Sequence, residues 1–267
     1  MYRLVRHGVG LCFEDVGKGR PPLVLIHDLG HDHASFAPQI EHFRRAHRVV
    51  AVDLRGHGRS DKPEEEYTMA GLADDVAWVC YELGVYSPVV VGHGLGGAIG
   101  LEMSARYPAL PEALVALDSL ILPPPDVRIG LHSVVESLQT PTWSEVLTRQ
   151  AMEQLAGVRG AAAEGRAGLV KGIGSASGRA VASGWENALA WNGAMAAVYC
   201  RVPLLYVDGG TRATDLERLR ELHPQLKVQR TKGGGHFQHL EVAEEMNGII
   251  ERYLEQLETD TAAGSVN

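Results

Sequence analysis

The sequence predicts an α/β fold built on a mostly parallel, doubly wound sheet with a helical insertion, and three observations predict it. Continuous apolar runs, among them Leu23–Ile26, Val49–Val52 and Val89–Val91, are bounded by turn residues, as strands covered on both faces are. Stretches with helical spacing separate these runs, and such alternation implies parallel strands joined by right-handed crossovers. The chain has 267 residues, 45% of them hydrophobic and 22% charged, which suffices for one large core.

Taken in order, Leu4–Arg6 and Leu11–Val16 read as an opening hairpin, and Leu23–Ile26 as a central strand after a Pro-Pro pair. Phe36–Ala46 has helical spacing, and Val49–Val52 is the next strand. Thr68–Leu83 carries apolar residues at Leu72, Val76, Val79, Cys80 and Leu83, with Thr68 placed to cap the helix start. Val89–Val91 is a strand, Leu95–Tyr107 a helix that ends before Pro108, and Ala113–Leu117 a further strand. The rhythm then breaks. Residues 123–198 open on Pro123-Pro124-Pro125 and hold helix-forming stretches without a clear strand, which predicts a helical lid over the sheet. Alternation resumes with Leu204–Val207, Asp215–Leu222 and Leu226–Arg230, and a last helix is expected from about Glu241 to Leu257. The core thus comprises 1–122 and 199–258, and the small polar stretch 259–267 is expected to be a flexible tail.

Composition excludes several function classes. A formal net charge of -8 gives no global support to a nucleic-acid surface. Cys12, Cys80 and Cys200 are few and widely spaced, which fits small buried thiols rather than a disulfide framework. No run of about 18 apolar residues occurs, so no membrane span is expected, and a cytoplasmic protein is the default. No cofactor is implied, and a small molecule is the expected partner. The oligomeric state is left open.

The segment Val89-Val90-Val91-Gly92-His93-Gly94-Leu95-Gly96-Gly97 reads as a buried strand, a sharp glycine-flanked turn and a helix start. That is the context of the G-x-S-x-G nucleophile elbow, but here the pattern is G-H-G-L-G. Gly94 stands where the attacking serine is expected. Glycine adopts the strained elbow conformation without steric cost, and a missing hydroxymethyl group leaves space on the order of 30 Å³, about one water.

Four segments, in order and suitably spaced, make the chain resemble the α/β-hydrolase superfamily of the single-domain, lid-containing type. They are Ile26-His27-Asp28-Leu29-Gly30, like an H-G-x-G loop; Asp53 to Ser60, matching D-x-R-G-x-G-x-S; the elbow; and Gly233 to Glu241, like a G-x-G-H-F loop. The resemblance implies His236 as general base, a role that suits an imidazole near neutrality. It implies an oxyanion hole from the backbone N–H groups of Leu29 and Leu95. His93 fills the common G-H-S slot and is expected to support the elbow, and His239 to pack.

The departures matter as much. Asp28 replaces the usual glycine; pointing inward, its carboxylate weakens the hole or serves as a second base, and pointing aside it bonds loop amides. The usual acid position after the seventh strand is Arg212. Asp118, just past the sixth strand, and Asp215 are the two alternatives, alongside no acid partner at all. Thr214 and Glu217 form a T-x-x-E pattern that already accounts for Asp215 as a helix-start charge. His27, His31 and His33 lie close in sequence but match no zinc spacing, so no metal is expected. In the insertion, Trp143, Trp185, Trp191, Leu131, Leu138 and Met195 are candidates to line an apolar pocket.

Two readings follow. One is an enzyme acting on a small, largely apolar carbonyl compound (ester, lactone or ketone) through His236, without a serine acyl-enzyme: a lyase, a cyclase or a catalyst of direct water attack. The other is a non-catalytic binding or interaction protein on the same fold, as the similar H-D-x-G loop of the N-myc downstream-regulated family illustrates. A serine hydrolase whose nucleophile has been changed to Gly94 would look the same at that position.

Overall fold

A computed structural model describes residues 1–155 and 162–264. Eight strands form one sheet: β1 (Tyr2–Arg6), β2 (Val9–Val16), β3 (Leu23–Ile26), β4 (Val49–Asp53), β5 (Val89–His93), β6 (Ala113–Leu117), β7 (Leu204–Asp208) and β8 (Leu226–Arg230). Their order is β1-β2-β4-β3-β5-β6-β7-β8. The hairpin β1–β2 and the β2–β4 pair are antiparallel, and every later pair is parallel. This is the α/β-hydrolase fold.

Side chains on a strand alternate between faces, so each central strand feeds two cores. Val24 and Ile26 of β3 pack with Leu72 and Ile99, which belong to α2 (Met69–Glu82) and α3 (Leu95–Arg106). Leu23 and Leu25 pack on the other side with Ile40 of α1 (Ala37–Phe43) and with Met246 and Ile250 of the last helix. Burial of both faces explains why these strands read as unbroken apolar runs rather than alternating ones.

Between β6 and β7 lie α4 (Pro125–Leu138), α5 (Trp143–Gln154), α6 (Ala162–Ser175), α7 (Gly178–Ala190) and α8 (Gly193–Tyr199). This insertion carries a small core of its own, including Leu138, Leu147, Ile173 and Val181, which joins Phe237 from the sheet side. Part of the expected insertion, 156–161, lies outside the described residues.

Boundaries differ from expectation in three places, each for a local reason. The helix expected over Phe36–Ala46 is a 3-10 turn, His33–Phe36, followed by α1, with Pro38 in its first turn where a missing N–H costs nothing. Asp215, not Thr214, caps α9 (Leu216–Leu222) by accepting from Arg218 N at 3.0 Å, because the Thr214 hydroxyl is turned inward to Ser119 O. The final helix splits into α10 (Gln238–Glu241) and α11 (Ala243–Gly264), so helix continues through most of the stretch expected to be a flexible tail. Residues 265–267 lie outside the described set. Among the described residues no helix is long and apolar enough to cross a membrane.

Candidate active site

The site forms where loops leave the C-terminal ends of β3, β5, β6, β7 and β8. The elbow after β5 is intact in backbone. Gly94 has φ 55° and ψ -123°, a conformation L side chains rarely adopt. Gly96 lets α3 approach β3 closely; a Cβ there would stand 2.1 Å from the Ile26 carbonyl oxygen.

The β3 loop is held by its neighbours. His27 donates from Nδ1 to the Asp28 carbonyl at 2.7 Å and accepts the Leu54 N–H at Nε2 at 3.0 Å. Asp53, from the D-x-R-G loop, accepts both the backbone N–H and the ring Nδ1–H of His33, at 2.9 and 2.7 Å. Burial opposes its charge, but the His33 hydrogen bond prevails and its pKa falls to about 2. The three clustered histidines therefore diverge: His27 braces backbone, His33 binds the Asp53 carboxylate, and His31 faces the cavity described below. Burial lowers the pKa of His31 to about 4, so it is neutral.

Asp28 points inward. Its Oδ1 accepts the N–H of Leu29 at 2.9 Å and the N–H of Leu95 at 2.7 Å. These are the two amides expected to form the oxyanion hole, so the hole is filled by the chain's own carboxylate. The expected water-sized space at Gly94 is filled too. A Cβ added there would lie 2.3 Å from Asp28 Cγ, so the carboxylate lies against the place an elbow side chain would take.

The other oxygen, Asp28 Oδ2, accepts from His236 Nε2 at 3.3 Å. His236 Nδ1 donates to Asp118 Oδ2 at 2.8 Å. Asp118 is itself fixed: Oδ1 accepts Gly209 N–H at 3.0 Å and Oδ2 the Thr211 hydroxyl at 2.8 Å, with its own φ at 43°. Of the two candidate acids, the structure brings Asp118 to His236 and leaves Asp215 at its helix cap. His93 donates from Nε2 to the His236 carbonyl at 2.9 Å, bracing that loop against the elbow strand. His239 is fully buried and stacks near Phe36, a packing position as expected.

The imidazole thus bridges two carboxylates. Burial disfavours its charge, yet the hydrogen bonds and charges of Asp118 and Asp28 outweigh that and push its pKa up to about 10. At neutral pH His236 is an imidazolium, which corrects the expectation of a resting general base. Asp28 responds in the opposite sense: burial raises its pKa, and the His236 hydrogen bond and charge lower it further than burial raises it. Asp28, His93 and His236 also bring ligand-type atoms within 4.8 Å of one another. In this geometry those groups are engaged with each other and with the His236 carbonyl by hydrogen bonds.

Above the pair opens a cavity of about 540 Å³. Its floor is Asp28, Gly94, Leu95, Asp118 and His236, and its walls include Leu120, Leu131, Val134, Leu147, Trp185 and Phe237. Leu131 and Trp185 therefore line it as expected. Leu138 and Trp143 pack inside the insertion, Trp191 donates to Glu102 at 2.8 Å, and Met195 is exposed. Trp185 Nε1 is a buried N–H that makes no hydrogen bond among the described residues. Sequence reasoning weighed His31 only as a metal ligand and not as a cavity residue, and did not single out Gly209 and Thr211 as the clamp on Asp118. Only the unusual Asp28 in a glycine slot signalled that the hole was altered.

The architecture is that of the α/β-hydrolase fold. Residues 21–140, which carry three of the four signature loops, match the family model described as alpha/beta hydrolase fold. That match covers less than half of the chain, and the shared feature along the rest is the fold. It is 39% identical over 100 residues to an AB hydrolase superfamily protein of Bacillus subtilis, covering 37% of either chain. It is 34% identical over 125 residues to bifunctional epoxide hydrolase 2 of Sus scrofa, covering 46% of this chain and 22% of that one. The matched stretch thus spans little more than a third of the first relative and less of the second. The enol-lactonase of Burkholderia xenovorans superposes with a TM-score of 0.83 at 21% identity, over 95% of this chain and 100% of that chain, a likeness of fold.

Proposed function

We propose that this chain is a hydrolytic enzyme for a small, largely apolar electrophile, working through the Asp28–His236–Asp118 array without a serine acyl-enzyme. The observation that carries the reading is the placement of Asp28, bonded through one oxygen to both hole amides and through the other to His236. A serine hydrolase that had merely lost its nucleophile would keep an open hole. Here a carboxylate occupies it, in a geometry that leaves no room for an elbow side chain.

The apolar cavity supplies binding and the floor supplies proton traffic. His236 starts as the proton donor, and Asp28 Oδ2 is the basic or nucleophilic oxygen. His236 turns into a base only after the Asp28 charge has been neutralised. Hydrolases among the relatives, including the epoxide hydrolase of Sus scrofa, support hydrolysis as the reaction class. A substrate carbonyl oxygen finds no free donor in the hole at rest, because Asp28 Oδ1 accepts from both amides.

The test is turnover of a panel of small esters, lactones and epoxides by the wild type, Asp28→Asn and His236→Ala. Either change should lower turnover by about 10²–10⁴-fold, the usual weight of a positioned acid or base, with ligand affinity nearly retained. Equal rates in all three proteins would establish a ligand-binding protein instead.

A further inference from the structure

The geometry points to Asp28 as a covalent nucleophile displaced from the elbow to the β3 loop, acting on an epoxide. This inference rests on the reading just given and goes further by naming the attacking atom and the substrate class. Three observations carry it. The Asp28 carboxylate lies against the place an elbow side chain would take, with Cγ 2.3 Å from a Cβ built on Gly94. One oxygen already lies between the Leu29 and Leu95 amides, and the other lies 3.3 Å from His236 Nε2 at the cavity floor.

An oxyanion hole stabilises charge that develops on a carbonyl oxygen as it is attacked. When the enzyme's own carboxyl oxygen sits there at rest, the carbonyl being served is that of an ester formed on the enzyme. Attack on a substrate ester would place the new oxyanion on the substrate, where both donors are already taken. Displacement at an alkyl carbon makes no such demand. It leaves Asp28 as an ester whose carbonyl oxygen, Oδ1, is in position for the second step.

The steps balance as follows. Asp28 Oδ2 forms a bond to one ring carbon, the bond from that carbon to the ring oxygen breaks, and the oxygen keeps the electron pair as an alkoxide. His236 Nε2 gives the alkoxide its proton. Asp28 is now uncharged, so one of the two carboxylates that held the imidazolium proton is gone, and His236 is a neutral base. It takes a proton from water as the hydroxide oxygen adds to Asp28 Cγ, with the negative charge on Oδ1 between the two amides. Cγ–Oδ2 then breaks, His236 protonates the departing oxygen, and the diol leaves. The acid left on Asp28 returns its proton to Nε2. One epoxide and one water give one diol.

An epoxide suits this site better than an alkyl halide. Its departing oxygen stays tethered on the adjacent carbon, within reach of the imidazolium, and takes the proton that charge neutralisation releases.

The experiment is a single turnover of styrene oxide by excess wild-type protein in heavy-oxygen water, with mass analysis of the diol and of the peptide containing Asp28. The expected result is a diol with only light oxygen and a heavy oxygen in the Asp28 carboxyl. In parallel, His236→Gln treated with glycidyl p-nitrophenyl ether should accumulate an adduct that maps to Asp28 and is absent from Asp28→Asn/His236→Gln. Asp28→Asn alone should lower diol formation by on the order of 10³-fold. Heavy oxygen in the first diol with Asp28 unlabelled would make Asp28 a general base; the covalent step falls and the hydrolytic reading stands. Neither diol nor adduct from either epoxide overturns the inference, and turnover of the ester and lactone panel then decides the broader reading separately.

Discussion

Placing a serine at position 94 should fail. The Cβ of a Gly94→Ser variant meets Asp28 Cγ at 2.3 Å, where ordinary contact begins near 3.4 Å, so the carboxylate must retreat by about 1 Å. That movement breaks its hydrogen bonds to the Leu29 and Leu95 amides, now 2.9 and 2.7 Å long. Hydrogen bonds to a charged group contribute about 1.5–3 kcal/mol each, so the loss is roughly 3–6 kcal/mol. At about 2–4 °C per kcal/mol for a chain near this size, the melting temperature should fall by roughly 6–24 °C. The double variant Asp28→Gly/Gly94→Ser removes the obstruction, reopens the hole and frees His236 from one of the carboxylates holding its proton. It should recover stability relative to the single variant and gain labelling at position 94 by a fluorophosphonate, with hydrolysis of p-nitrophenyl acetate. Scanning calorimetry and intact-mass labelling of the three proteins check this. A single Gly94→Ser variant as stable as the wild type and labelled as fast as the double variant would refute the placement of Asp28.

Other expectations follow from the same array. Because the His236 pKa is raised to about 10, its contribution to stability is fully present below about pH 6.5 and lost as pH rises through 10. Asp28, whose pKa is lowered, contributes above its ordinary value near 4 and loses that as pH falls through its folded pKa. Urea unfolding across pH 6.5–10.5 should therefore show a declining alkaline limb that flattens in Asp28→Asn. Asp118→Asn should cut turnover and loosen His236, since it weakens a bond of 2.8 Å, whereas Asp215→Ala should cost only a helix cap, about 1 kcal/mol, and leave turnover unchanged. Comparable activity losses in the two would contradict the geometry. Trp185→Phe removes a buried N–H that makes no hydrogen bond among the described residues; unfolding should show unchanged or slightly raised stability, with turnover unchanged, because that nitrogen is closed off from the cavity. A clear loss of stability would show that this N–H has a partner.

The fold was legible because its strands announce themselves. Val89–Val91 and Leu23–Ile26 are apolar at every position, since each is covered on both faces by a different core. The helix from Met69 was legible down to its cap, where Thr68 accepts the Gly71 N–H at 3.0 Å. The T-x-x-E pattern misled because the Thr214 hydroxyl had a buried partner across the chain, Ser119 O at 2.6 Å. Local pattern cannot see such a competitor. Asp118 over Asp215 was likewise undecidable from spacing, because the choice turns on a β6–β7 junction where Gly209 and Thr211 clamp the carboxylate.

The deeper limit lies in how the site's two departures relate. A missing serine at 94 and an aspartate in a glycine slot at 28 look like independent losses, one of the nucleophile and one of the hole. β3 and β5 are neighbours in register, with Ile26 opposite Gly92, so both positions open onto the same few ångströms beyond the sheet edge. There they become one exchange, in which the side chain absent from the elbow is supplied by the adjacent loop. The exchange also changes what the imidazole is. Between a serine hydroxyl and one carboxylate, an imidazole has a single charge favouring its proton; between Asp28 and Asp118 it has two, and it rests as the acid. His236 can therefore accept a proton at this floor only after the Asp28 charge has been consumed.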